Sequence, residues 1–136
     1  MKKFTLYLLL LLVLITLVSL LIFNAFQQIP KEGFSEIYFD DFNEIPTSIK
    51  LNEPLKFSFI VINKEANEEN YDYIVMIKYK SKQDIIDSGS FSLKNNEINI
   101  IEETILVKED FNLAIVSVKL LNKNQEIHFW VRQDVS

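Results

Sequence analysis

The 136 residues hold 14 basic and 19 acidic side chains, one histidine and no cysteine. Lys2 and Lys3 precede a long apolar run, so the chain beyond it carries 12 bases against all 19 acids, a net charge of −7. That is the reverse of the basic footprint of a nucleic-acid-binding domain, and without cysteine there is no disulfide framework, thiolate nucleophile or cysteine-ligated metal.

Phe4 to Phe23 is apolar except for Thr5, Thr16 and Ser19, and no charge occurs between Lys3 and Lys31. A helix over these 20 residues would be about 30 Å long, the thickness of a bilayer's hydrocarbon core. The three hydroxyls are tolerable there because each can bond back to a carbonyl of its own helix. A cleaved signal peptide usually has a shorter apolar core, about 7–15 residues, ending in a small-x-small site. The best such site here ends at Ala25 and has Phe23 where a small side chain belongs. The run therefore reads as an uncleaved signal anchor, with the lipid bilayer as the partner of residues 4–23. Lys2 and Lys3 lie on one side of it, against Lys31 followed by Glu32 on the other. The positive-inside rule then predicts a cytoplasmic tip, residues 1–3, and a C-terminal domain outside the cell membrane.

Residues 24–33 form a short connector containing Pro30 and Gly33, and residues 34–136 change to a period of two. The strongest alternations are Phe34–Asp40, Pro54–Asn63, Tyr71–Lys80, Leu113–Leu121 and Glu126–Arg132. Weaker strands are expected at Thr47–Leu51, Ile85–Leu93 and Asn99–Lys108, separated by Asn-, Glu- and Lys-rich turns. Seven or eight short strands, each with one apolar face, imply an all-β domain of two sheets packed face to face. Its core is expected from Leu55, Phe57, Phe59, Val61, Tyr73, Val75, Ile77, Val116, Val118, Leu120, Phe129 and Val131. With Lys123-Asn124 as a two-residue loop, the last hairpin pairs Leu120 with Ile127, Val118 with Phe129 and Val116 with Val131. The opposite face then pairs Lys119 with His128, Ser117 with Trp130 and Ile115 with Arg132.

Catalytic and metal-binding constellations are hard to find. His128 has Lys119 as its inferred neighbour, which would repel a cation, and the nearest serine in that register, Ser117, lies one pair further along. Asp40-Asp41-Phe42-Asn43-Glu44 and the Glu65, Glu68, Glu69, Asp72 group bring oxygen ligands together, but neither has the EF-hand spacing, and both read as solvated loops. Every acid falls at a predicted turn or an outward strand position, so no carboxylate pair for glycoside hydrolysis can be singled out. With only Gly33 and Gly89, a phosphate-cradling loop is excluded. No catalytic, cofactor-binding or metal-binding residue is assigned, and no enzyme activity or cofactor is expected. The outward face of the final sheet is more informative. Trp130 and Ile115, joined by Ile74 and Met76 if their strand adjoins, would form an apolar strip edged by Lys119, His128, Arg132 and Lys78. Aromatic side chains beside Arg are what protein interfaces favour. The competing expectation is that the first strand or the connector folds over this strip.

Phe34-Ser35-Glu36-Ile37-Tyr38, Pro46-Thr47, Phe91-Ser92-Leu93 with Glu97, Thr104, and Phe129-Trp130-Val131 resemble a domain of unknown function, numbered sixteen-sixteen among such families, found in archaeal membrane proteins. The resemblance implies an immunoglobulin-like two-sheet sandwich attached to membrane helices. The family's turn glycines are replaced here, for instance by Asn96 before Glu97. It has no established catalytic residues to transfer. The chain is thus expected to be a single-pass, extracytoplasmic module acting by protein contact, as a surface structural module or an accessory subunit of a membrane assembly. The alternative is a ligand- or carbohydrate-binding module that uses exposed aromatics as stacking platforms.

Overall fold

The computed structural model describes residues 2–27 and 33–134; the middle of the expected connector, residues 28–32, lies outside the described residues, as do Met1 and residues 135–136. The chain divides into two compact units, Met1–Glu32 and Gly33–Ser136. In the first, one helix, α1, runs Lys2–Gln27, and its stretch Lys3–Asn24 is long and apolar enough to cross a membrane. Thr16 and Ser19 donate to the Val13 and Ile15 carbonyls at 2.8 and 2.9 Å. Their polar atoms are thereby satisfied within the helix, as an apolar surrounding requires.

The second unit is all β, with eight strands: β1 (Ser35–Phe39), β2 (Ser48–Ile49), β3 (Pro54–Asn63), β4 (Glu69–Tyr79), β5 (Lys82–Leu93), β6 (Ile98–Leu106), β7 (Leu113–Leu120) and β8 (Gln125–Gln133). They form a three-stranded sheet, β1-β3-β6, and a five-stranded sheet, β2-β8-β7-β4-β5. All neighbours are antiparallel except β2 and β8. Among the described residues four non-glycine ones take positive φ, and three of them are asparagines (Asn52, Asn96, Asn124), the residue type that best tolerates that region after glycine. In a chain with two glycines, asparagine makes the turns.

The two inner faces meet in a core of Leu55, Phe59, Val61, Val75, Ile77, Val116, Val118, Leu120 and Val131, all buried. Phe39, Phe57 and Phe129 pack edge to face, with ring centroids 5.2–6.0 Å apart, and so tie β1 and β3 to β8 across the sandwich. Asn63 is fully buried and fully used: its Nδ2 donates to the Asn67 and Leu93 carbonyls, both at 2.8 Å, and its Oδ1 accepts from the Glu65 amide. It pins the β3–β4 loop to the end of β5.

The structure corrects several expectations. Tyr73 is half-buried rather than core, because its hydroxyl reaches out to Asp87 Oδ2 at 3.0 Å over the edge strand β5. Ile60 and Ile62 lie on the outer side of β3 yet are buried, since β3 is central in its sheet and Tyr38, Ile98 and Ile100 flank them. The last hairpin is shifted by two residues: Val118 faces Ile127, Val116 faces Phe129 and Ala114 faces Val131. Its loop is Leu121–Asn124, because Leu121 and Asn122 bond across to Asp72 and Asn70 of β4 instead of extending the ladder with β8. A shift of two preserves side-chain parity, so the apolar sets still share the inner face.

Candidate functional site

On the outer face of the five-stranded sheet, the registers set side chains in rows. One row runs Trp130, Ile115, Lys78, Gln83; the next runs His128, Ser117, Met76, Ile85; a third begins Glu126, Lys119, Ile74; Arg132 faces Leu113 beyond the first. Trp130, Ile115, Ile74, Met76, Lys119, His128 and Arg132 therefore share one face. Two neighbours differ from the expected pairs: His128 lies opposite Ser117 and not Lys119, and Trp130 lies opposite Ile115 and not Ser117. Ile85 and Leu113 extend the apolar strip and were missed because the β4–β5 register carries a bulge and Leu113 sits at a strand end. Trp130 is 51% exposed, and β1, one of the two segments expected to fold over it, belongs to the other sheet.

This face is poor in acids. Lys64, Lys82 and Lys123 each have carboxylate partners within 3.4 Å. Among the described residues Lys78, Lys119, His128 and Arg132 have no ion-pair partner, and Glu126 is the only acid in their rows. Two shallow concavities interrupt the face. One of about 590 Å³ lies between Trp130, Leu113, Arg132 and the Thr47–Ser48 segment. Another of about 420 Å³ lies over Ser117, whose small buried side chain leaves a dip ringed by Met76, Lys78, Ile115, Lys119, Glu126 and His128.

The two acidic loops do other things. Asp41 caps a short 3-10 turn, Phe42–Glu44, by accepting from the Asn43 amide, and Asp40 accepts from Ser58. With Lys56, Glu102 and Thr104, the turn borders a cleft of about 340 Å³. In the second cluster Lys123 bridges Glu65 and Glu69 at 3.0 and 2.9 Å while its ammonium sits over the Tyr71 ring. Its hydrogen bond holds the Glu65 carboxyl below the ordinary carboxylate range. Among the described residues no group of three or more His, Asp or Glu side chains is placed to hold a metal ion.

One carboxyl contradicts the expectation that all acids point outward. Glu103 lies opposite Phe57 on the inner side of β6 and is buried. Its carboxyl is pushed up to about 7, first by burial and then by the neighbouring Asp87 charge and their shared hydrogen bond. Burial and the bond to Asp87 likewise push the Tyr73 hydroxyl up to about 12. The signal was available: Glu102 and Glu103 are consecutive in a strand, so one of them has to face inward.

No protein-family model and no curated protein matches the chain, so the archaeal family suggested by the sequence gains no support from either comparison. Solved structures do match its fold. The CARDB domain of a Pyrococcus furiosus protein, solved in complex with di-metal ions, is similar over 76% of this chain and 88% of that one, at 13% identity and a TM-score of 0.53. A β-glucosidase from Listeria innocua is similar over 75% of this chain but only 16% of its own, at 14% identity and a TM-score of 0.62. An alkylpurine DNA glycosylase from Pseudomonas fluorescens, bound to DNA containing an abasic site analog, matches over 74% of this chain and 30% of its own, at 15% identity and a TM-score of 0.60. The chain thus spans a small part of the two enzymes, and at these identities the likeness is one of fold.

Proposed function

We propose that this protein is a single-pass membrane-anchored module whose immunoglobulin-like sandwich lies outside the cytoplasm and acts by protein contact, as a surface structural module or an accessory subunit of a membrane assembly, without catalysis. The observation that carries this reading is the half-exposed Trp130 on an apolar strip ringed by unpaired cations. A tryptophan left in water forgoes burial that its large area would otherwise contribute, and Trp and Arg are the residues on which protein contacts concentrate. Lys2 and Lys3 at the start of the helix support the orientation, and the likeness to the CARDB domain supports the immunoglobulin-like reading. A carbohydrate-binding role is less well supported: among the described residues Trp130 is the one aromatic on this face, while Tyr71 and Tyr79 are buried and Tyr73 is half-buried.

Two measurements test the reading. Protease added to spheroplasts should remove the region after Gly33 and leave the amino-terminal tip protected; the reverse pattern would invert the orientation. A photo-crosslinking residue at Ile115 should capture a protein of defined mass in native membranes, whereas one at Leu106, exposed on the other sheet, should not. Absence of any adduct from position 115 would reject the contact module.

A further inference from the structure

The dip over Ser117 has a chemistry of its own. Its floor is a small hydroxyl side chain on the central part of the sheet, and its rim carries Lys78, Lys119, Glu126 and His128 with Met76 and Ile115 between them. Cross-strand neighbours on one face stand about 5 Å apart, and next-nearest ones about 7–8 Å, so the long side chains of Lys78, on the neighbouring β4, and Lys119, two residues along β7, both reach over Ser117. Glu126, opposite Lys119, is the one acid on this rim, and among the described residues neither Lys78 nor Lys119 forms an ion pair, so the two lysines outweigh the single carboxylate. Within a domain of net charge −7 beyond Lys3, this is a locally positive basin next to an apolar shelf.

Resting on the contact reading above, we infer that the partner offers an acidic, apolar-interleaved protein segment, a carboxylate seating over Ser117 between Lys78 and Lys119 while an adjacent apolar side chain covers Trp130 and Ile115. Charge complementarity selects the occupant. A second copy meeting this face with its own about a two-fold axis would set the same lysines against the basin, and a cationic or neutral segment would leave its lysines unpaired and desolvated.

Trp130 is the only tryptophan in the chain, so its emission reports on this face directly. Full-length protein in phosphatidylcholine nanodiscs is titrated with a dodecapeptide of alternating Glu and Leu, and separately with its Lys–Leu counterpart. The Glu–Leu peptide should move the Trp130 emission to the blue and saturate, the Lys–Leu peptide should bind on the order of tenfold more weakly or not at all, and added salt should weaken the former. Lys78→Glu combined with Lys119→Gln, which avoids a second carboxylate opposite Glu126, should reduce Glu–Leu affinity on the order of tenfold with the melting curve preserved, both lysines being free of internal ion pairs. Ser117→Leu, which fills the dip without altering charge, should also weaken it. Equal binding of the two peptides, or an unchanged affinity in the double variant, would overturn the proposal. So would a Trp130 shift produced by phosphatidylglycerol vesicles and not by the Glu–Leu peptide, which would assign the face to anionic lipid. A protein adduct from position 115 without charge dependence would retain the contact module and reject only the acidic segment.

Discussion

Replacing Glu103 by glutamine removes the ionisation of the one buried carboxyl among the described residues while keeping its shape. In the folded protein this group titrates at about 7 against an ordinary 4.5, so between those values the native state holds a proton that the unfolded chain has released. The stabilisation is therefore complete below about pH 4.5 and is lost as pH rises through 7. At 1.36 kcal/mol per pH unit the gap sets a ceiling of about 3.4 kcal/mol. Asp87 is exposed at the sheet edge, and water around it brings the expected effect down to about 1–2 kcal/mol. Glu103→Gln should match the parent near pH 4.5, where both carry a neutral side chain facing Asp87, and exceed it by that amount at pH 8.5. The assay is urea unfolding of both proteins at a series of pH values, read as the difference between them so that the other carboxylates cancel. A difference that does not grow between pH 5 and 8.5 would refute the assignment of a protonated Glu103 between the sheets.

The remaining perturbations test packing. Phe57→Ala opens a cavity in the three-ring cluster with Phe39 and Phe129 and should cost about 3–5 kcal/mol by urea unfolding, whereas Ser58→Ala, one residue along and facing out, should be nearly silent. Asn63→Ala removes three hydrogen bonds and leaves the Asn67 and Leu93 carbonyls without that donor, a loss of about 2–4 kcal/mol in the same assay. Gly89→Ala places a methyl 2.6 Å from the Tyr73 ring and should cost about 1–3 kcal/mol, with hydrogen exchange quickening along β5 as Tyr73 is displaced from Asp87.

Alternation made the strands legible because it is a local property: Pro54–Asn63 follows directly from its period of two and the turn residues before it. The outward parity of Trp130 followed in the same way, and the pairing of β4 with β7 supplied Ile74 and Met76 to its face. Register was not legible to better than two residues, because a shift of two leaves every side chain on its own face and costs the pattern nothing. What fixed it was the attachment of Leu121 and Asn122 to β4, a contact with residues some fifty positions earlier. The same distance hid the Lys123 bridge to Glu65 and Glu69 and the approach of Glu103 to Asp87. Charges in loops look alike in a sequence, and only the tertiary fold decides which are partnered.

The parallel pairing of β2 with β8 joins Ser48 to Arg132 and Ile49 to Gln133. Closing so long a stretch of chain is entropically expensive and, in a fold dominated by non-local pairs, slow. During synthesis β1, β2 and β3 emerge early, but β2 has no neighbour in its sheet until β8 has been made. Phe39 and Phe57 likewise wait for Phe129 to complete their cluster. A nascent chain stalled before Gln125 would therefore expose the aromatic floor of one sheet and an unpaired strand beside it. Completion of the sandwich is a late event in biosynthesis, and the interval before β8 arrives is when this domain is most open to misassembly with its neighbours.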